Sequence, residues 1–102
     1  MDKSAFPLPF YSALMQDSVK ASFTDVQDIS EDFLTTVEGN EYFRWKIADT
    51  QKGVLYYQVL YMYESGDRKL VITYTRPAGT LGEEYDAVVD DAMTTVQFTH
   101  KP

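Results

Sequence analysis

The sequence contains no cysteine. That excludes disulfides, thiol nucleophiles and cysteine-ligated zinc, and it leaves the redox compartment open. The single histidine, His100, lies near the C-terminus without a serine–acid arrangement around it. A two-histidine metal site therefore cannot be assembled within one chain, and neither a metal nor a cofactor is expected. Long apolar runs are also absent. Nothing approaches the ~20 residues of a membrane-spanning helix. The run from Phe6 to Met15 is interrupted by Pro7 and Pro9 and makes a poor signal peptide. Basic residues are few: nine Lys and Arg stand against sixteen Asp and Glu, for a net charge of −7. Nucleic-acid binders carry a basic footprint, so a nucleic-acid partner is excluded and a basic partner is favoured. The Gly79–Gly82 pair is not followed by Lys-Ser or Lys-Thr, so no phosphate-binding loop is present.

What the sequence does contain is apolar and aromatic. Hydrophobic residues make up 44% of it and aromatics 15%, a composition that argues against disorder. At 102 residues the chain is read as one α+β domain, 1–102, with flexible ends at 1–8 and 99–102. A chain of that size buries roughly 60–68% of its unfolded surface, enough for one core.

The organising stretch runs from Glu41 to Arg76 and reads as three strands, Tyr42–Asp49, Val54–Glu64 and Lys69–Arg76, with turns at Gly53 and Ser65-Gly66. A strand with one wet face alternates apolar and polar residues. The middle strand does not. One of its faces carries Val54, Tyr56, Gln58, Leu60 and Met62, and the other Leu55, Tyr57, Val59, Tyr61 and Tyr63. Both faces require cover, by a layer on each side or by a partner on one.

The flanks are helical. Pro9 suits a first helical turn, and Phe10, Tyr11, Leu14, Met15, Ser18 and Val19 form a stripe that predicts a helix over 9–21. Thr80 is a natural N-cap with Glu83 as its capping-box partner. Leu81, Tyr85, Val88, Val89, Ala92, Met93 and Val96 then lie on one face of a closing helix, with Phe98 capping the edge of the core. Between the first helix and the meander, Val26–Ile29 reads as a short strand. Asp28, Ser30, Glu31 and Asp32 cluster like a loop, so a turn is read after Ile29, and Phe33–Glu38 reads as a strand joined to the next through a two-residue Gly39-Asn40 loop. The expectation is a four-to-five-stranded antiparallel meander with an N-terminal and a C-terminal helix packed on it.

No residue group amounts to a catalytic signature. Trp45, Tyr57, Tyr61 and Tyr63, with Tyr56 and Tyr74, either line a binding surface or pack the sheet. Glu83, Glu84, Asp86, Asp90 and Asp91 form a solvated helix face or a docking surface for a basic partner. Glu83 and Glu84 suit the first turn of the helix, while no Lys or Arg in that helix can pair with Asp90 and Asp91. Arg44, Lys46, Arg68, Lys69 and Arg76 form a small anion-binding patch or are edge and turn charges. The functional expectation is a non-catalytic binding or adaptor module for a protein or lipid-like partner, with a homodimer through an open sheet edge as the alternative.

Three segments carry a family likeness. They are Thr36-Val37-Glu38-Gly39-Asn40-Glu41-Tyr42-Phe43-Arg44, the aromatic run Leu55-Tyr56-Tyr57-Gln58-Val59, and Leu70-Val71-Ile72-Thr73-Tyr74-Thr75 followed by a helix ending in Val96-Gln97-Phe98. In that order they resemble the later part of the PsbP-like α/β/α sandwich superfamily, which includes bacterial envelope proteins of the DcrB and LpqN type. The resemblance implies a non-enzymatic binding or assembly role, either a truncated N-terminus or a lost first strand, and a bacterial envelope or secreted location, with a cytoplasmic one as the alternative. Members of that superfamily begin with a β-hairpin for which there is little room here. An edge that is open, or paired with another subunit, is therefore expected.

Overall fold

The computed structural model describes residues 2–3, 7–65, 68–78 and 83–96. The elements run β1 (Asp2–Lys3), α1 (Leu8–Ser22), β2 (Thr24–Thr35), β3 (Glu41–Gln51), β4 (Val54–Ser65), β5 (Arg68–Pro77) and α2 (Glu83–Met93). One antiparallel sheet has the order β1-β5-β4-β3-β2. Four strands form the meander. β1 is a two-residue addition that sets Asp2 against Lys69 and Lys3 against Arg68, where a loose lead-in was expected. Among the described residues no helix is long and apolar enough to cross a membrane.

β3 and β4 are central, and each is buried on both faces. On one face Phe43, Trp45, Ile47, Leu60 and Met62 pack with Leu8, Met15 and Val19 of α1. On the other, Tyr42, Val59, Tyr61 and Tyr63 pack with Val89 and Met93 of α2 and with Val96 just beyond it. The two helices thus roof opposite faces, as the doubly apolar middle strand requires. The Lys52-Gly53 turn joins β3 to β4 directly, with Gln51 opposite Val54. Both turn residues have positive φ (51° and 78°), the geometry whose twist matches that of the flanking strands.

Several expectations fail for physical reasons. The acidic run Asp28–Asp32 is not a turn; β2 passes through it as one twelve-residue strand. The negative charges are tolerated in a strand because each is met from the side. Lys20 and Trp45 Nε1 donate to Asp28, Gln16 to Glu31 and Arg44 to Asp32. Two register shifts, between Thr24 and Gln27 and between Asp28 and Ser30, absorb the irregularity. The following connection is longer than two residues. β2 stops at Thr35 and β3 starts at Glu41, with Gly39 at φ +91° and the Thr36 hydroxyl accepting from the Asn40 N–H.

Both helices sit rotated from their expected stripes. In α1 the inward residues are Leu8, Tyr11 and Ser12, with Met15 and Val19 behind them, while Phe10 and Leu14 face out. In α2, Val89 and Met93 face in, but Tyr85 is 56% and Val88 64% exposed. α2 ends at Met93, not near Val96. The Thr94 and Thr95 hydroxyls donate back to the Asp91 and Ala92 carbonyls, a local bond that competes with helix continuation. Thr94 O then accepts the Val37 N–H. The Thr80 cap, Leu81, Phe98, His100 and the Gly66 turn lie outside the described residues.

Met62 is fully buried in the α1-facing core. Met62→Ala should lower unfolding stability by about 2–5 kcal/mol, through lost transfer energy plus a cavity. Val88→Ala on the exposed side of α2 should change it by no more than about 0.5 kcal/mol. Denaturant titration of both variants checks this, and equal losses would contradict the burial described.

Candidate functional site

β3, β4 and β5 present alternate residues to the α2 side of the sheet. The register sets Lys46 opposite Val59, and Tyr57 opposite Arg76. α2 covers only part of this face. Beyond it lies an open cleft of about 360 Å³, walled by Lys46, Tyr57, Val59, Tyr61 and Arg76 from the sheet and by Asp86 from α2. Ile29 closes one side. It sits in the second register shift of β2, where an extra residue opposes the partner strand and a side chain is re-aimed.

The polar groups of the cleft are ordered. The Arg76 guanidinium lies over the Tyr57 ring, 4.9 Å from its centroid. It also donates from Nε and Nη2 to the two carboxylate oxygens of Asp86, each at 2.8 Å. That pairing holds the Asp86 carboxyl below its ordinary range, against the opposing effect of burial. Burial and the hydrogen bond to Asp86 push the Tyr74 phenol up. Lys46 belongs to the cleft wall, and its charge helps to hold Asp86 ionised.

A second cluster joins α2 to the same sheet face. Arg44 Nη1 donates to both oxygens of Asp90 at 2.8 Å, and Nη2 donates to Asp32 at 2.9 Å. Burial alone would pull the Arg44 guanidinium down, but these bonds outweigh it and its pKa is raised. Tyr61 donates to Asp90 at 3.2 Å, and Tyr63 donates to the Met93 carbonyl at 2.7 Å. Burial pushes both phenols well up, and the Asp90 charge adds to it. On the opposite face Asp49, fully buried, accepts from Gln58 Nε2 at 2.6 Å and Gln51 Nε2 at 3.0 Å.

The residues singled out from the sequence separate accordingly. Tyr57 and Tyr61 come together in the cleft. Trp45 is fully buried on the α1 side and Tyr63 on the α2 side. Asp90 does not face solvent as part of an unpaired acidic face; it turns onto the sheet and pairs with Arg44. Asp91 is exposed. Glu83 opens α2, and its side chain lies outside the described part. Asp86, grouped with the acidic helix face, pairs instead with Arg76 on the sheet; Ile29 was not anticipated. Asp86 precedes Asp90 by one helical turn, and Arg44 and Arg76 share one sheet face, so the two acids and two arginines were in the sequence, although nothing local in it brings the pairs together. Ile29 had no comparable signal.

No protein-family model, curated protein or solved structure matches the chain.

Asp86→Asn removes the carboxylate that Arg76 holds. A carboxyl lowered in the folded state contributes stability above its unfolded pKa of about 3.9 and loses it as pH falls through the lower folded value. The melting temperatures of the parent and of Asp86→Asn should differ at neutral pH and converge as pH falls towards about 2. A constant difference across that range would contradict the pairing.

Proposed function

We propose that the protein is a non-catalytic binding module that takes an anionic amphiphile, a lipid-like ligand, into the cleft beside α2. The observation that carries this reading is the juxtaposition of Lys46 with the apolar wall of Ile29 and Val59 in an open space of about 360 Å³. Ligand pockets run from roughly 300 to 1,000 Å³, mostly apolar with a few placed polar groups. Asp86 is engaged by Arg76, which leaves the Lys46 ammonium as the charge available to an incoming carboxylate or phosphate.

The chemistry supports binding over catalysis. A carboxyl held below its ordinary range, as Asp86 is, makes a weak general base at neutral pH. A phenol pushed up by burial, as Tyr61 is, makes a weak acid. The likeness of Thr36–Arg44 and Leu55–Val59 to the PsbP-like sandwiches supports the same non-enzymatic role.

Calorimetric titration with decanoate tests this, with decanol and decyltrimethylammonium as controls. Decanoate should bind saturably, and Lys46→Met, which keeps the aliphatic stem, should weaken it about tenfold or more through loss of one charge-assisted contact. Equal affinity for decanol, or amide shifts that avoid Ile29, Tyr57 and Val59, would overturn the reading.

A further inference from the structure

We propose that β2 is a docking edge for an extended basic segment of another protein, which adds a strand alongside Ser30–Thr35. β2 ends the sheet order, and among the described residues no strand lies beyond it. An antiparallel edge strand turns alternate backbone N–H and C=O groups away from its neighbour, and such a row is a template for a further strand. The two register shifts break the edge at Thr24–Gln27 and Asp28–Ser30, whereas pairing with β3 is unbroken from Ser30 to Thr35. The regular half is long enough for a short peptide ladder.

Added strands gain affinity from the main chain and specificity from pockets for alternate side chains. Such a pocket adjoins the regular half. A second concavity of about 290 Å³ is lined by Phe33, Leu34, Thr35 and Glu41. Phe33 is 58% exposed, and its ring rests against Phe43 at 4.7 Å between centroids. Glu41 lies directly across from Thr35 and is exposed. An aromatic floor with a carboxylate at its rim fits a Lys or Arg side chain, whose stem covers the ring while its charged head reaches the acid. Glu31, also exposed on this strand, extends the complementarity along the edge.

The same charges disfavour a second copy of the chain as the occupant. Two copies would each bring a net charge of −7 and set acidic strands side by side, and like charges directly opposite are destabilising.

The probe is a synthetic peptide of alternating lysine and valine, followed through amide chemical shifts. Saturable binding with shifts concentrated at Ser30–Thr35 is expected. Glu41→Lys should weaken it about tenfold by reversing the charge at the pocket. The same peptide N-methylated at alternate residues, which keeps the charge and removes ladder donors, should not bind. The proposal is overturned if no saturation occurs up to about 1 mM peptide. It is overturned equally if the N-methylated or an alternating glutamate–valine peptide binds as well. Sedimentation showing a dimer formed through this edge without peptide would give the edge to a second copy and reject the basic partner.

Discussion

β4 has no face that water can cover cheaply. From Gln58 to Tyr63 every residue is buried, with Leu60 and Met62 on one side of the sheet and Val59, Tyr61 and Tyr63 on the other. Apolar surface gains about 25 cal/mol for each Å² removed from water, so both sides must be roofed before the strand is stable. One helix per face is the smallest solution, and the chain supplies one from each end. The meander, the opposed helices and the partial exposure of the outer strands all follow from that requirement.

The two roofs are fastened differently. α1 seats mainly through Leu8, Met15 and Val19 on Trp45 and its neighbours, with the buried Lys69 paired to Glu64 at 3.0 Å and lying 5.9 Å from the Tyr11 ring. α2 seats through Val89 and Met93, but also through Asp86 on Arg76 and Asp90 on Arg44. Partly buried ion pairs are weak sources of net stability, because desolvation offsets their attraction, yet an unpaired buried charge is expensive. The two arginines on the sheet therefore dictate which side of α2 turns inward. Tyr85 and Val88 are left in solvent as the consequence, and so is the uncovered strip of sheet that forms the cleft.

That competition also explains what could be read from the sequence. β3, β4, β5 and the Gly53 turn are legible because alternation and turn chemistry are local signals. The double covering of the sheet is legible because Tyr57–Tyr63 admits no polar face. The rotation of α2 is not, since it depends on Arg44 and Arg76, which stand 46 residues from Asp90 and 10 from Asp86 in sequence. Continuity of β2 through Asp28–Asp32 was hidden for the same reason: the donors that neutralise the run come from α1 and β3. Tyr57 and Tyr61 were found as candidates by residue type, whereas Ile29 reaches the cleft only through a register shift.

Because the native chain has no cysteine, single thiols report the seating of α2 without background. The decisive measurement is the rate at which a small maleimide labels Val89→Cys and Val88→Cys in the folded protein. A sheet roofed on both faces, with α2 turned by its two acid–arginine pairs, predicts rapid labelling at position 88 and clearly slower labelling at the half-buried position 89. Fast labelling at both would mean the second face is not roofed, and protection at 88 in place of 89 would mean the helix docks on its apolar stripe.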